Sequence, residues 1–329
     1  MPEVFSSRAL TMAVNLMRTA PTKVLDTVFS RKKRQLSGIF EWDVKTSSEH
    51  LLSNISVSAE ATVRGGIGRK NITCRAPRYA EKEFISAADL NNMRAFGDAV
   101  APELLKERVG DEQFDMKQTI DLTREFQAVK ALSGQVVDKN GVVLVDYNLP
   151  AAHKPVLAGT ALWTDAASDP IKNIRAWKKL IGQAGPVTGF AAFCGTGAMD
   201  ALINNGSARE LLKYTMGDQI AKEGRVAHLA GVDIDEYDGS YLDGSGTRHD
   251  LIPSGVFALV GFGPDVAAEL FAPVIDLKAP GGVGKGKEAD IFFSKMWESE
   301  DPSGQWVKVE SRPLPVFFRP LCVVYATVI

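Results

Sequence analysis

Residues 36–88 constrain this chain more than any other stretch. The segments GIFEWDVKT, NISVSAEATVR and NITCRAP are short, rich in β-branched residues and partly alternating, which is the pattern of strands. Gly65-Gly66-Ile67-Gly68 marks a turn between them. No helix with an apolar face interrupts the stretch. A two-stranded ribbon is marginal in water, and loops this long are rare in compact domains unless they are functional. Something else must cover the ribbon, and a neighbouring subunit is the first expectation.

The flanking segments differ. Leu10, Val14 and Met17 share one helical face, and Val24, Leu25 and Val28 another, with Pro21 between. Residues 1–35 hold seven cations against two anions, a net +5, so the other residues carry −7 of the total −2. The run Arg31-Lys32-Lys33-Arg34 is part of that excess. A basic arm on an acidic body touches nucleic acid or an acidic surface of another copy, and as a short cluster it can equally be a solvated helix end.

After residue 88 the pattern turns helical. Asp89 can cap a segment from Leu90 to about Phe96. Pro102 suits a first turn, with Leu104, Leu105 and Val109 inward. A longer helix is expected over 111–132, with a Leu122, Phe126, Val129 stripe and Gly134 ending it. Asn140-Gly141 between valine-rich runs signals a hairpin whose two turn residues both take positive φ. From residue 160 the pattern is mixed α/β. Asp169-Pro170 opens a helix, 186–195 reads as a buried strand, Ser207 with Glu210 reads as a capping box, and the chain ends in strands.

Chemistry-bearing motifs are incomplete. Gly281 to Lys287 has phosphate-loop spacing, but Glu288 stands where a hydroxyl is needed. Gly195-Thr196-Gly197 lacks the third glycine of a dinucleotide turn, so a tight strand-to-helix turn is the simpler use. Asp233, Asp235, Glu236, Asp238 and Asp243 fall out of EF-hand register and fit a solvated hairpin. His50, His153, His228 and His249 form no catalytic signature; a Cys194–His228 pair is the weak remaining candidate. Three scattered cysteines give no zinc spacing or disulfide framework, which points to a reducing compartment. The N-terminus lacks a signal-peptide core, and the longest apolar run, 321–326, is far below the ~20 residues of a membrane helix. No catalytic, cofactor-binding or metal residue is assigned.

Several segments together resemble one family. They are Val24-Leu25-Asp26-Thr27-Val28-Phe29, Phe40-Glu41-Trp42-Asp43-Val44, Ala61-Thr62-Val63-Arg64-Gly65-Gly66 and Ala76-Pro77-Arg78-Tyr79. Asp250-Leu251-Ile252-Pro253 with Val256 to Gly261, and Glu310-Ser311-Arg312-Pro313-Leu314-Pro315 through Ile329, continue the series. Their order over nearly the whole chain resembles the lambda-type major capsid protein E family of tailed phages. The resemblance implies an α+β chain with the Hong Kong 97-type phage capsid fold. Residues 1–35 would be an N-terminal arm and 36–88 an extended β loop. Residues 89–159 would be a peripheral domain with a spine helix and hairpin, 160–288 an axial α/β domain, and 289–329 strands returning to both. It also implies a virion shell of pentamers and hexamers around packaged double-stranded DNA, assembled in host cytoplasm with a scaffold, a portal and a decoration protein, and without a membrane. Under it the inter-subunit residues would be Arg31, Lys32, Lys33, Arg34, Phe40, Trp42, Arg64, Arg69, Lys70, Pro77, Arg78 and Tyr79. Some relatives form Lys–Asn cross-links; Lys45, Lys70 and Asn71 have the residue types, but no motif marks them. The rival readings are a nucleotide-binding α/β enzyme using Gly195–Gly197 and a DNA-binding adaptor using residues 1–35.

Overall fold

A computed structural model describes residues 5–19, 22–45, 56–57, 60, 69–89, 101–215, 226–263, 265–279 and 289–329. Its organising element is one helix of 32 residues, α3 (Ala101–Leu132). The sequence divides this helix at Gly110, but a single glycine in a helix costs only about 1 kcal/mol relative to alanine, too little to break it. Its inward positions are Val109, Gln113, Met116, Ile120, Arg124, Ala128 and Ala131, spaced three or four apart. Gln113 and Arg124 interrupt the apolar pattern, which is why the stripe is hard to read from the sequence. Phe126 and Val129 are buried as expected, but Leu122 faces outward at 41% exposure. Gly134 (φ 90°) ends the helix with its N–H on Ala131 O. Leu149 lies against it so closely that a Cβ would collide.

The hairpin β5 (Gln135–Val137) and β6 (Val143–Asp146) follows. Only Gly141 takes positive φ. Gly141 N–H returns to Asp138 O, and the register shifts between Val136 and Val137. The connection is therefore a four-residue turn with glycine last and a bulge, rather than a two-residue turn.

The described residues between 170 and 262 form an α/β layer. Asp169 caps α4 (Pro170–Ala184) by accepting Lys172 N–H at 3.0 Å. A five-stranded sheet runs in the order β17 (Val323–Thr327), β12 (Val256–Phe262), β7 (Gly189–Cys194), β9 (Val232–Glu236), β8 (His228–Leu229). Within this sheet only the β7–β9 pairing is parallel, so the described residues hold no repeated βαβ series. The sheet, α4 and α5 (Thr196–Asn204) enclose a core around Trp163, Ile174, Phe193 and Phe257. Asn205, not Ser207, caps α6 (Gly206–Thr215): its Oδ1 accepts Ser207 N–H at 3.1 Å, while its amide donates to Ser168 Oγ and Trp163 O. The acidic connection is the hairpin β10 (Ser240–Leu242) with β11 (Arg248–Asp250), pinned by Asp243.

The terminal strands serve three sheets. Besides β17, β14 (Phe293–Ser299) and β15 (Gly304–Ser311) form a sheet with β4 (Tyr79–Ser86), and β16 (Pro313–Phe317) pairs with β13 (Ala267–Phe271). The root of the extended loop is the pair β2 (Ile39–Lys45) and β3 (Arg69–Arg75). Phe40, Trp42 and Val44 point into the chain's own core, while Ile39, Glu41 and Asp43 do not. One face of the root is thus covered from within, by alternation, and the Ile39–Glu41 face is left open.

Candidate functional site

The arm also docks on its own chain, and α3 provides the track. Gln113, Lys117, Asp121 and Glu125 recur every fourth residue, so they line one helical face. Gln113 Nε2 donates to Leu10 O at 3.3 Å and to Ser294 Oγ at 2.7 Å. Lys117 Nζ donates to Met17 O. Thr19 Oγ1 donates to Asp121 Oδ2 at 2.7 Å. Glu125 accepts the N–H groups of Val24 (2.8 Å) and Leu25 (3.0 Å) and the Tyr237 hydroxyl (2.7 Å). A carboxylate from another helix thereby caps α2 (Lys23–Val28), whose own Thr22 makes no cap bond. Burial pushes the Glu125 carboxyl up despite these bonds. α1 (Ser7–Leu16), opened by Ser6, sets Leu10 and Val14 against the β14 sheet.

Beside this track lies a buried ion cluster. Arg124 is 5% exposed and grips Glu269, which is fully buried, through Nε (2.7 Å) and Nη2 (2.6 Å); Nη1 reaches Asp121. Burial works against the charge of Arg124, but Glu269 and Asp121 outweigh it and hold the guanidinium protonated above its ordinary value. Glu269 lies on β13, and the basic tetrad becomes a strand beside it. β1 (Lys32–Arg34) pairs in parallel with β13, Lys32 opposite Glu269. Lys32 and Arg34 are exposed, Lys33 sits over the Phe318 ring at 4.4 Å, and Arg31 pairs with Asp265 at 3.4 Å.

The other expected residues divide. Phe40 and Trp42 are core residues. Lys70 is exposed on β3, Arg69 begins that strand, and Arg64 lies outside the described residues. Pro77 is half-buried. Arg78 makes a two-pronged contact to fully buried Glu310, both bonds 2.9 Å. Tyr79 accepts from Gln127 Nε2, joining β4 to α3. Asn71 bonds Glu41 and Asp43; Lys45 ends β2 opposite Arg69. The polar track on α3 was missed from the sequence, although its four-residue spacing was visible there.

The catalytic candidates find no geometry. At the Gly195 turn, Gly195 N–H goes to Val256 O, Gly197 N–H to Ser254 Oγ and Ala198 N–H to Ser254 O. Backbone at Pro253 and Ser254 lies so close to Gly195 that a Cβ there would collide, so the glycine serves close packing of the turn. Cys194 is fully buried, and burial pushes its thiol up to about 12. His228 is exposed and hydrogen-bonded to Asp233 at 2.8 Å, on a different strand from Cys194. Among the described residues, no cluster of His, Cys, Asp and Glu is arranged to hold a metal, and no helix is long and apolar enough to cross a membrane. The 281–287 loop lies outside the described residues.

The sequence model of the family described as phage major capsid protein E matches residues 6–328. The chain belongs to the phage major capsid protein E family. Its role is that of a major capsid protein of a phage head, and the nucleotide-enzyme alternative has no support. Solved structures agree on the fold. A putative capsid protein of a prophage from E. coli CFT073 superposes with TM-score 0.68 at 18% identity, covering 98% of this chain and 99% of that one. A phage-related protein from Bordetella bronchiseptica RB50 gives 0.57 at 14%, covering 97% and 96%. The mature capsid of bacteriophage PhiM1 gives 0.53 at 11%, covering 95% and 88%. The Hong Kong 97-type fold is thus present over nearly the full length. None of the curated proteins matches the chain by sequence.

Proposed function

We propose that this major capsid protein tiles into pentamers and hexamers of a closed shell around packaged double-stranded DNA, with a scaffold and a portal, in the host cytoplasm. The match to the capsid family over residues 6–328 carries the reading. The arm (1–35), extended loop (36–88), peripheral domain (89–159), axial domain (160–288) and returning strands (289–329) are its working parts. Lys32, Arg34 and Lys70 offer exposed cations to a neighbouring copy or to DNA, while Arg31 is turned to Asp265 of its own chain. Phe40 and Trp42 act indirectly, by holding the root of the loop.

Expression of the full chain with a scaffold, followed by electron microscopy, tests this reading. Closed particles support it, and a chain that stays monomeric at every concentration overturns it. Adding ATP or NAD should leave the melting temperature unchanged. A strong stabilisation would revive the enzyme reading, since a ligand at 100 times its Kd adds about 2.7 kcal/mol.

A further inference from the structure

Arg312 stands between β15 and β16 and is only 4% exposed. Its Nη1 donates to Pro273 O at 2.8 Å and its Nη2 to Ala76 O at 3.1 Å, but its buried Nε has no partner. No carboxylate pairs with it among the described residues. A buried cation normally needs an anion. Arg312 lines a 520 Å³ pocket with Gly38, Ile39, Thr73, Arg75 and Ile275.

The surroundings are short of negative charge. Arg75 is exposed and also lacks an ion pair among the described residues. Glu310 is held by Arg78 and by Lys308 at 2.5 Å. Asp276 is held by Lys295 at 2.5 Å, with Lys308 at 3.9 Å. Five cationic side chains therefore share two carboxylates. The pocket walls are apolar: Ile39 is 55% exposed and Ile275 63%. This combination suits a carboxylate carried on a short, partly apolar turn.

The chain has such a turn at the tip of the β14–β15 hairpin. Glu300, Asp301 and Pro302 are exposed there, and the two acids have no ion pair among the described residues. The tip cannot reach the pocket of its own chain. β15 pairs Gly304 with Ser86 at the tip end and Ser311 with Tyr79 at the pocket end. Seven strand steps separate these ends, about 23 Å at roughly 3.3 Å each.

We propose that the Arg75–Arg312 pocket receives the Glu300–Asp301 tip of a second copy of this chain. Different patches meet, so the contact is head-to-tail and propagates around a ring or shell. The inference rests on the assembly reading above and names one of its contacts.

Charge exchange tests it. Arg75→Glu alone, or Glu300→Arg with Asp301→Arg, should lower the yield of assembled particles about tenfold or more, because truncating or reversing one side of such a pair costs well over one decade of affinity. Combining all three substitutions should restore most of the yield. The melting temperature of unassembled chains should not change, since all three positions are exposed. An Ile275→Cys, Asp301→Cys chain should give inter-chain disulfides on non-reducing gels, while native Cys74, Cys194 and Cys322 are buried. Normal assembly of the single-sided variants without cross-linking would overturn the contact and leave the capsid reading standing. Failure of the unsubstituted chain to assemble would overturn both.

Discussion

At the scale of single residues, the chain concentrates buried charge where the arm, α3 and β13 meet. Arg124 and Glu269 are held by two short bonds with almost no solvent. Removing one partner leaves the other buried and unpaired. Arg124→Met should therefore cost about 3–5 kcal/mol in denaturant unfolding. Arg124→Met with Glu269→Met should cost less than the single change, because the only carboxylate left without its cation is Asp121, which keeps its bond from Thr19. Glu310 makes a pH prediction. Burial pushes its carboxyl up, but the bonds from Arg78 and Lys308 outweigh burial and set it below the usual range. A carboxyl lowered on folding stabilises above its unfolded value of about 4.3, and that stability is lost as pH falls through the folded value. Glu310→Gln should flatten the acid side of the stability curve. The loss at neutral pH should be about 1–2 kcal/mol, since Arg78 is screened by solvent.

At the scale of elements, docking of the arm is a separable event. α1 contributes Leu10 and Val14 to the small core under β14 and β15. Leu10→Ala should remove about 2–5 kcal/mol locally. Hydrogen exchange should then rise across α1 and at Ser294, whose N–H rests on Thr11 Oγ1, but not in the β7–β12–β17 sheet. Much at this scale was legible in the sequence. Asp169 capping, Gly134 termination, the loop-root strands and the α/β layer follow from local rules of capping, turn chemistry and alternation. What escaped was set by tertiary contacts. Leu122 looked inward because Gln113 and Arg124 disguise the true face of α3. Ser207 looked like a cap because Asn205 acts through a partner 37 residues away, Ser168. The loop root looked uncovered because the core its inward side chains join is built from distant segments; Cys74 on β3, for example, reaches Leu144 O on β6.

At the scale of the whole molecule, charge changes meaning. The +5 of residues 1–35 is partly spent inside the chain, with Arg31 on Asp265 and Lys23 on Asp235. Lys32 and Arg34 remain outward, beside β13. If these cations bridge copies or touch DNA, assembly should weaken between about 0.05 and 0.2 M salt. Lys32→Glu with Arg34→Glu should reduce that salt dependence while leaving the monomer's melting temperature nearly unchanged. Light scattering across a salt series measures both effects. Electron microscopy of the full chain co-expressed with a scaffold tests the central claim most directly: the account predicts closed, evenly sized shells built from this chain, whereas a well-folded chain found only as monomers would contradict it.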